Sequence, residues 1–409
     1  MAKSSVLTAL DIGSSRIRAV VATVDERRNI VNIIGVGSAP SEGVRKGRIT
    51  DIEEAAVNIS TALEEAERMS GRQILNAYTS VSGPFIRTDD CQGVVAINGQ
   101  NAEITENDVD RVIDAARSVS MPANREILKI LPKRFAVDSQ HGVKYPVGMS
   151  GIRLEVEAHI VSGETGAIRN LEKTLYHTGV NVTEVVPSML ACSESVLDRK
   201  QKDLGCVLIE IGACSTNVVV YEEGTVLYSA VLPVGGEHVT NDLAIGLRCA
   251  VDTAEQVKLK YGTADPADVS DRYMVDLGSV SNTDIHTVEG AFIAKIIEAR
   301  YYEIFMLVKD ELQQIGRDGM LPAGAVLCGG GVKVPGLVEL SREVLGLPVK
   351  IGTPKDIEGI LDRAQDPAYS SVIGLLHYAH RHGVQRSFWD FNMGGAFRSV
   401  MDFFKSLLP

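Results

Sequence analysis

Val6-Leu7-Thr8-Ala9-Leu10-Asp11-Ile12-Gly13-Ser14-Ser15-Arg16-Ile17-Arg18-Ala19-Val20-Val21-Ala22 is answered in the second half of the chain by Val207-Leu208-Ile209-Glu210-Ile211-Gly212-Ala213-Cys214-Ser215-Thr216-Asn217-Val218-Val219-Val220-Tyr221. In each copy an apolar strand ends in an acid, a glycine-containing turn follows, and a β-branched strand returns. A third apolar strand then leads to a further glycine, Gly37 in one copy and Gly235 in the other. An internal duplication constrains the fold more than any local pattern. It predicts two hairpin-led sheets of equal design, in an α/β chain of two related halves.

Helices follow these strands. Ile52, Ala56, Ile59, Leu63 and Ala66 line one face of a helix predicted over 51–69. Ile293, Ile296, Ile297, Ile304, Val308, Leu312 and Ile315 do the same for a longer one. From Pro84 to about His159 the pattern is different: a strand at Val94 to Ile97, a helix from about Glu106 to Val119, then strands at Ile127 to Val137 and Leu154 to Val161. This reads as a small inserted α/β unit.

With 409 residues, 45% of them hydrophobic, the chain can bury a large core, and a formal charge of -12 argues against a nucleic-acid surface. Cys91, Cys192, Cys206, Cys214, Cys249 and Cys328 form no CxxC pair, and read as buried small residues of a reducing cytoplasm. The N-terminus has no signal-peptide pattern, and no apolar run reaches the roughly 18 residues of a membrane span.

A turn of glycine and small hydroxyl residues exposes successive backbone N–H groups to phosphate oxygens. Asp11 to Ser15 fits that need, with Asp11 positioned to hold a hydrated Mg²⁺. Glu210 to Thr216 repeats it, and Gly329-Gly330-Gly331 after the strand Ala325 to Cys328 suits the close approach of a base or an α-phosphate. Neither GxxxxGK[ST] nor a GxGxxG after the first strand is present, so P-loop and Rossmann sites are poorly supported.

In this order the three loops resemble the phosphate-1, phosphate-2 and adenosine motifs of the actin/Hsp70/hexokinase superfamily. Within it the chain is similar to the FtsA family of bacterial cell-division proteins, through Val234 to Leu247 and Ala254 to Gly262 and through the position of the insertion. The resemblance implies a bilobal actin-like (ribonuclease H-like) fold with an FtsA-type inserted subdomain. Residues 1–83, 162–200 and 366–384 then form the first half, 84–161 the insertion, 201–235 and 316–365 the second half, and 236–315 a subdomain upon it. A linker over 385–395 and an amphipathic helix over 396–409 complete the chain.

The implied ligands are ATP and Mg²⁺. Asp11 and Glu210 are the metal and catalytic acids. Gly13, Ser14, Ser15, Arg16, Gly212, Ala213, Cys214, Ser215, Thr216, Gly235, Gly236, Gly329, Gly330 and Gly331 form the cradle, with Glu255 and Lys258 on the ribose and base edge. The chain departs from the family pattern at Glu210, where Asp is usual, at Ala213-Cys214, where Gly-Gly or Ala-Gly is usual, and at Ser188, aligned with a water-orienting Gln or Glu. Phosphoryl transfer depends on positioning metal and nucleophile, so ATP turnover is expected to be weak or absent.

At the C-terminus Phe397, Val400, Met401, Phe404, Leu407 and Leu408 share one arc of a helical wheel, with Phe403 at its edge and Arg398 and Lys405 flanking. That pattern suits a helix lying at a lipid headgroup boundary. The resemblance further implies self-association into filaments, a peripheral position on the cytoplasmic face of the membrane at the division site, and other division proteins as partners. It also implies binding of the tail of the tubulin-like protein FtsZ, with Lys295 and Arg300 as the residues involved. Two other readings share the superfamily: a pilus-assembly scaffold resembling PilM, and a small-molecule kinase.

Overall fold

The computed structural model describes residues 6–25, 30–97, 103–118, 121–270, 272–282 and 284–382. The expected linker and terminal helix, with Phe397, Val400, Met401, Phe403, Phe404, Leu407 and Leu408, lie outside the described residues.

Two sheets share one design. The first runs Asn181–Pro187, Asn76–Val81, Val6–Ile12, Arg16–Asp25, Ile30–Pro40, Ile357–Gly359; the second runs Cys206–Ile211 at its centre, with Thr216–Glu222 and Thr225–Leu232 on one side and Ala325–Cys328 and Val349–Ile351 on the other. In both, the central strand pairs antiparallel with its hairpin partner and parallel with its other neighbour. Cys206–Ile211, at the centre of the second sheet, is buried at every position, which is why it reads as an apolar run broken only by Glu210. The fold is therefore the expected α/β pair of related halves.

Gly37 and Gly235 are not counterparts, contrary to the sequence reading. Gly37 lies inside the strand Ile30–Pro40, where the helix Ile52–Ser70 crosses so closely that a Cβ would stand 1.9 Å from the Ala62 carbonyl oxygen. Gly235 lies beyond the third strand, at the start of the helix Gly236–Leu247. One glycine admits a helix onto the sheet; the other shapes a loop. The helix Ile52–Ser70 begins where Asp51 accepts from the Glu53 and Glu54 N–H groups and ends at Gly71, whose φ of 64° suits glycine.

The inserted unit is an antiparallel sheet in the order Ile86–Ala96, Arg153–Glu164, Arg125–Val137, Gln140–Val143, with the helix Glu106–Arg117 on one face. It is tied to the first half by the bidentate pair of Arg48 with Glu164 at 2.7 and 2.6 Å, and by Lys129 with Glu184 and Tyr378. It also reaches the second half, where the Thr88 hydroxyl donates to the Ser229 carbonyl at 2.5 Å and His159 bonds the Ser229 hydroxyl at 2.8 Å. Upon the second half, the helices Gly236–Leu247, Val251–Tyr261 and Gly290–Gln314 pack around Val239, Leu243, Val257, Ile293 and Ile297.

Candidate functional site

The two hairpin turns close with the same hydrogen bond. The Gly13 N–H donates to the Arg16 carbonyl at 3.2 Å, and the Gly212 N–H to the Ser215 carbonyl at 2.9 Å. Each turn therefore spans four residues, Gly13 to Arg16 and Gly212 to Ser215, between paired Ile12 and Ile17 in one case and Ile211 and Thr216 in the other. The Ser41 hydroxyl and the Gly47 N–H brace the first turn, donating to the Gly13 carbonyl at 2.5 Å and the Ser14 hydroxyl at 2.9 Å. Arg16 contributes its carbonyl to this geometry, while its side chain is exposed.

The acids stand where the central strands end. Asp11 accepts from the Ser80 hydroxyl at 2.6 Å and lies 3.6 Å from the Arg18 guanidinium. Buried Glu210 accepts at one oxygen from both the Ser188 hydroxyl and the Asn217 amide, each at 2.8 Å. Burial pushes its carboxyl above the ordinary range; Asp11 adds repulsion, and the Ser188 and Asn217 bonds oppose the rise. Asp11 is near enough to repel the Glu210 carboxyl, and two neighbouring carboxylates suit a cation. The donor set fits Mg²⁺, which keeps most of its waters and takes one or two carboxylates beside phosphate oxygens.

For a carboxyl raised in the folded state, the linked stability is full below the unfolded value near 4.5 and is lost as pH rises through the folded value. Glu210→Gln keeps an acceptor and removes the charge. Its melting temperature is expected to exceed the parent's at neutral pH and to converge with it toward about pH 4. Calorimetry across that range checks this; an offset that does not change with pH would contradict it.

The floor of the site is built from absent side chains. The Gly236 N–H donates to the Gly212 carbonyl at 2.9 Å and the Glu237 N–H to the Ala213 carbonyl at 2.8 Å, seating the second turn on a helix start. A Cβ on Gly235 would stand 2.6 Å from the Gly212 oxygen, so that position admits only glycine. A Cβ on Gly236 would meet nothing closer than 3.6 Å, with Gly331 at 3.8 Å and the Lys258 ammonium at 4.0 Å. Lys258 donates to the Gly236 carbonyl at 3.1 Å and to the Thr240 hydroxyl at 2.7 Å, and pairs with Glu255 at 2.6 Å. Glycine backbone, a helix N-terminus and a half-hidden cation thus converge, a combination that suits a phosphate-bearing ligand.

The triple glycine joins the same floor. Gly329 has a φ of 91°, and a Cβ there would strike the Ile211 carbonyl at 2.5 Å. Gly330 opens a short 3₁₀ turn, and the Gly331 carbonyl accepts from the buried Tyr301 hydroxyl at 2.6 Å. Cys214 departs from glycine without filling the crevice: its thiol donates to Glu237 at 2.6 Å, and burial with that carboxylate pushes it up to about 11. Thr216 turns its hydroxyl to the Val234 carbonyl at 2.8 Å.

Arg300 and Lys295 lie away from this cleft. Arg300 is held by Asp242 at 2.5 and 3.0 Å and by Glu303 at 2.5 Å, beside a groove of about 340 Å³ lined by Ile245, Phe292 and Ile296. Lys295 is exposed on the same helix. Sequence reading missed Arg18, Ser80, Ser82, Asn217, Glu237 and Thr240. Arg18 and Asn217 carry a signal in retrospect, since each is a polar residue with a largely buried side chain beside the apolar middle of its strand.

Comparison with known proteins bears on this site. Residues 207–374 match a family model described as "Cell division protein FtsA", and residues 83–162 one described as "SHS2 domain inserted in FTSA". Cell division protein FtsA of Pseudomonas aeruginosa is 36% identical over 91% of this chain and 88% of its own. That of Bacillus subtilis is 36% identical over 93% and 85%, and that of Escherichia coli K12 34% over 91% and 90%. Among solved structures, a PilM-PilN type IV pilus biogenesis complex aligns at TM-score 0.66 and 18% identity, covering 90% of this chain and 97% of that one. MreB 5 of Spiroplasma citri bound to AMPPNP aligns at 0.55 and 13%, covering 94% and 99%. At such identities the structural likenesses speak for the fold, and the sequence relatives for descent. The chain belongs to the FtsA family of cell division proteins.

Proposed function

We propose that the chain binds ATP with Mg²⁺ between its two halves, assembles on the cytoplasmic face of the membrane at the division site through its C-terminal helix, and tethers FtsZ filaments and other division proteins there. The observation that carries the nucleotide reading is the glycine floor around Gly212, Gly236 and Gly331, with Lys258 at its edge. Asp11 and Glu210 would hold the metal's water shell. Bound there, the metal would supply positive charge to offset that of the phosphates. Turnover is weak on this reading, because Ser188 is committed to Glu210 at 2.8 Å rather than directed at a water. The likeness to PilM is one of fold, and the sequence relatives favour division over pilus assembly.

The groove beside Arg300 supports the partner reading. An acidic peptide there exchanges its carboxylates for those of Asp242 and Glu303 on the guanidinium, while apolar residues meet Phe292 and Ile245, which are 45% and 78% exposed. Phe292→Asp and Arg300→Glu are each expected to weaken binding of an FtsZ tail peptide at least about tenfold, with ATP affinity unchanged. Fluorescence anisotropy with the labelled peptide tests this. Unaltered peptide affinity in both variants would remove the groove from the reading.

A further inference from the structure

Asn217, 2% exposed near the start of the strand Thr216–Glu222, is the most connected side chain at the junction of the halves. Its amide nitrogen lies 2.9 Å from the Ser82 hydroxyl, 3.1 Å from the Ser188 hydroxyl and 2.8 Å from Glu210. Its carbonyl oxygen accepts from Ser82 at 3.0 Å, and Ser82 also reaches the Ser215 hydroxyl at 3.0 Å. Ser82 and Ser188 follow the strands Asn76–Val81 and Asn181–Pro187 of the first sheet, whereas Glu210, Ser215 and Asn217 belong to the second hairpin. A single carboxamide therefore spans the cleft beside the second turn.

The bonding capacity of this cluster is oversubscribed. The Asn217 carboxamide has two N–H hydrogens for three acceptors, while Ser82 donates its hydrogen to the Asn217 carbonyl and can accept from the Ser215 hydroxyl. Separating the halves takes the Ser82 donor from the Asn217 carbonyl oxygen, and that loss opposes opening.

We infer that Asn217 is a positioning residue that latches the two halves together through Ser82, and thereby sets how slowly a bound nucleotide is released. The inference rests on the nucleotide reading of the cleft and assigns that cleft its release step. Opening of a closed site commonly limits release, so loss of the latch speeds dissociation.

The test is stopped-flow release of a fluorescent ATP analogue with Mg²⁺, chased by excess ATP, from the full chain and from Ser82→Ala, Asn217→Ala and the double variant. Each single variant is expected to release about tenfold faster, since each loses the Ser82–Asn217 bridge. The double variant is expected to release more slowly than the product of the two single effects would give, because the Ser82–Asn217 bridge is common to both. Ser82→Thr restores the hydroxyl and slow release, a rescue that general loosening of the fold would not show. Wild-type release from folded Ser82→Ala, or multiplying effects in the double variant, would overturn the latch alone. Failure of the unmodified chain to bind the analogue would overturn the nucleotide reading, and the latch with it.

Discussion

Gly236→Val is expected to leave the chain folded and to weaken ATP binding roughly a hundredfold, about 2.8 kcal/mol. The fold tolerates the change because an added Cβ meets only ordinary contacts, the nearest 3.6 Å away at the Gly212 oxygen. Two further methyl groups at a helix start cost only a few tenths of a kcal/mol in propensity. They fill the space bounded by Gly212, Gly331 and the Lys258 ammonium, where a phosphate must approach backbone. Gly235→Ala supplies the contrast. There the Cβ strikes backbone oxygens at 2.6 and 2.7 Å, so the second turn shifts and the melting temperature falls. Thermal melting and an ATP titration on both variants separate the roles; equal ATP affinity in Gly236→Val and parent would show that the floor is not the ligand's seat.

A chain ending at Gly395 is expected to lose nearly all co-sedimentation with anionic liposomes. The removed segment carries Phe397, Val400, Met401, Phe404, Leu407 and Leu408 on one arc, with Arg398 and Lys405 beside them. Among the described residues no helix is long and apolar enough to cross a membrane, and the terminal segment is the amphipathic candidate. One short helix with two basic residues binds lipid weakly and reversibly. Assembly multiplies such contacts, so lipid binding of the full chain is expected to rise steeply with protein concentration in ATP and Mg²⁺. Sedimentation across a concentration series checks both statements. Undiminished binding by the shortened chain would place the lipid contact elsewhere.

What the sequence disclosed depended on whether a contact was local. The hairpin turns and the long helices were legible because their residues lie within one period of one another, and strand and helix periods differ. The inserted unit was legible as an interruption, although its first strand begins at Ile86 rather than Val94 and its short strand Gln140–Val143 passed unnoticed. The edge strand Ile357–Gly359, which returns to pair with Ile30–Pro40, joins segments far apart in the chain and leaves no local pattern. Gly37 and Gly235 resemble each other in spacing alone; only the approach of Ala62 to one and of the Gly212 carbonyl to the other reveals two uses of the missing side chain.

The same limit applies to the site. Acids at strand ends and glycines in turns were visible as types. The pairing of Ser188 with Glu210, the turning of Cys214 toward Glu237, and the bridge from Ser82 to Asn217 are contacts between elements that no spacing encodes. They change the reading of the departures from the family pattern: Glu210 is held by hydrogen bonds to protein, and Cys214 leaves the phosphate approach to backbone.

The most direct measurement is a crystal structure of the full chain grown with ATP and Mg²⁺. Density for the triphosphate is expected between the turns Gly13 to Arg16 and Gly212 to Ser215, with the nucleoside against Gly331 and Lys258. An empty cleft at saturating nucleotide, or a nucleotide bound anywhere else, would contradict the nucleotide reading.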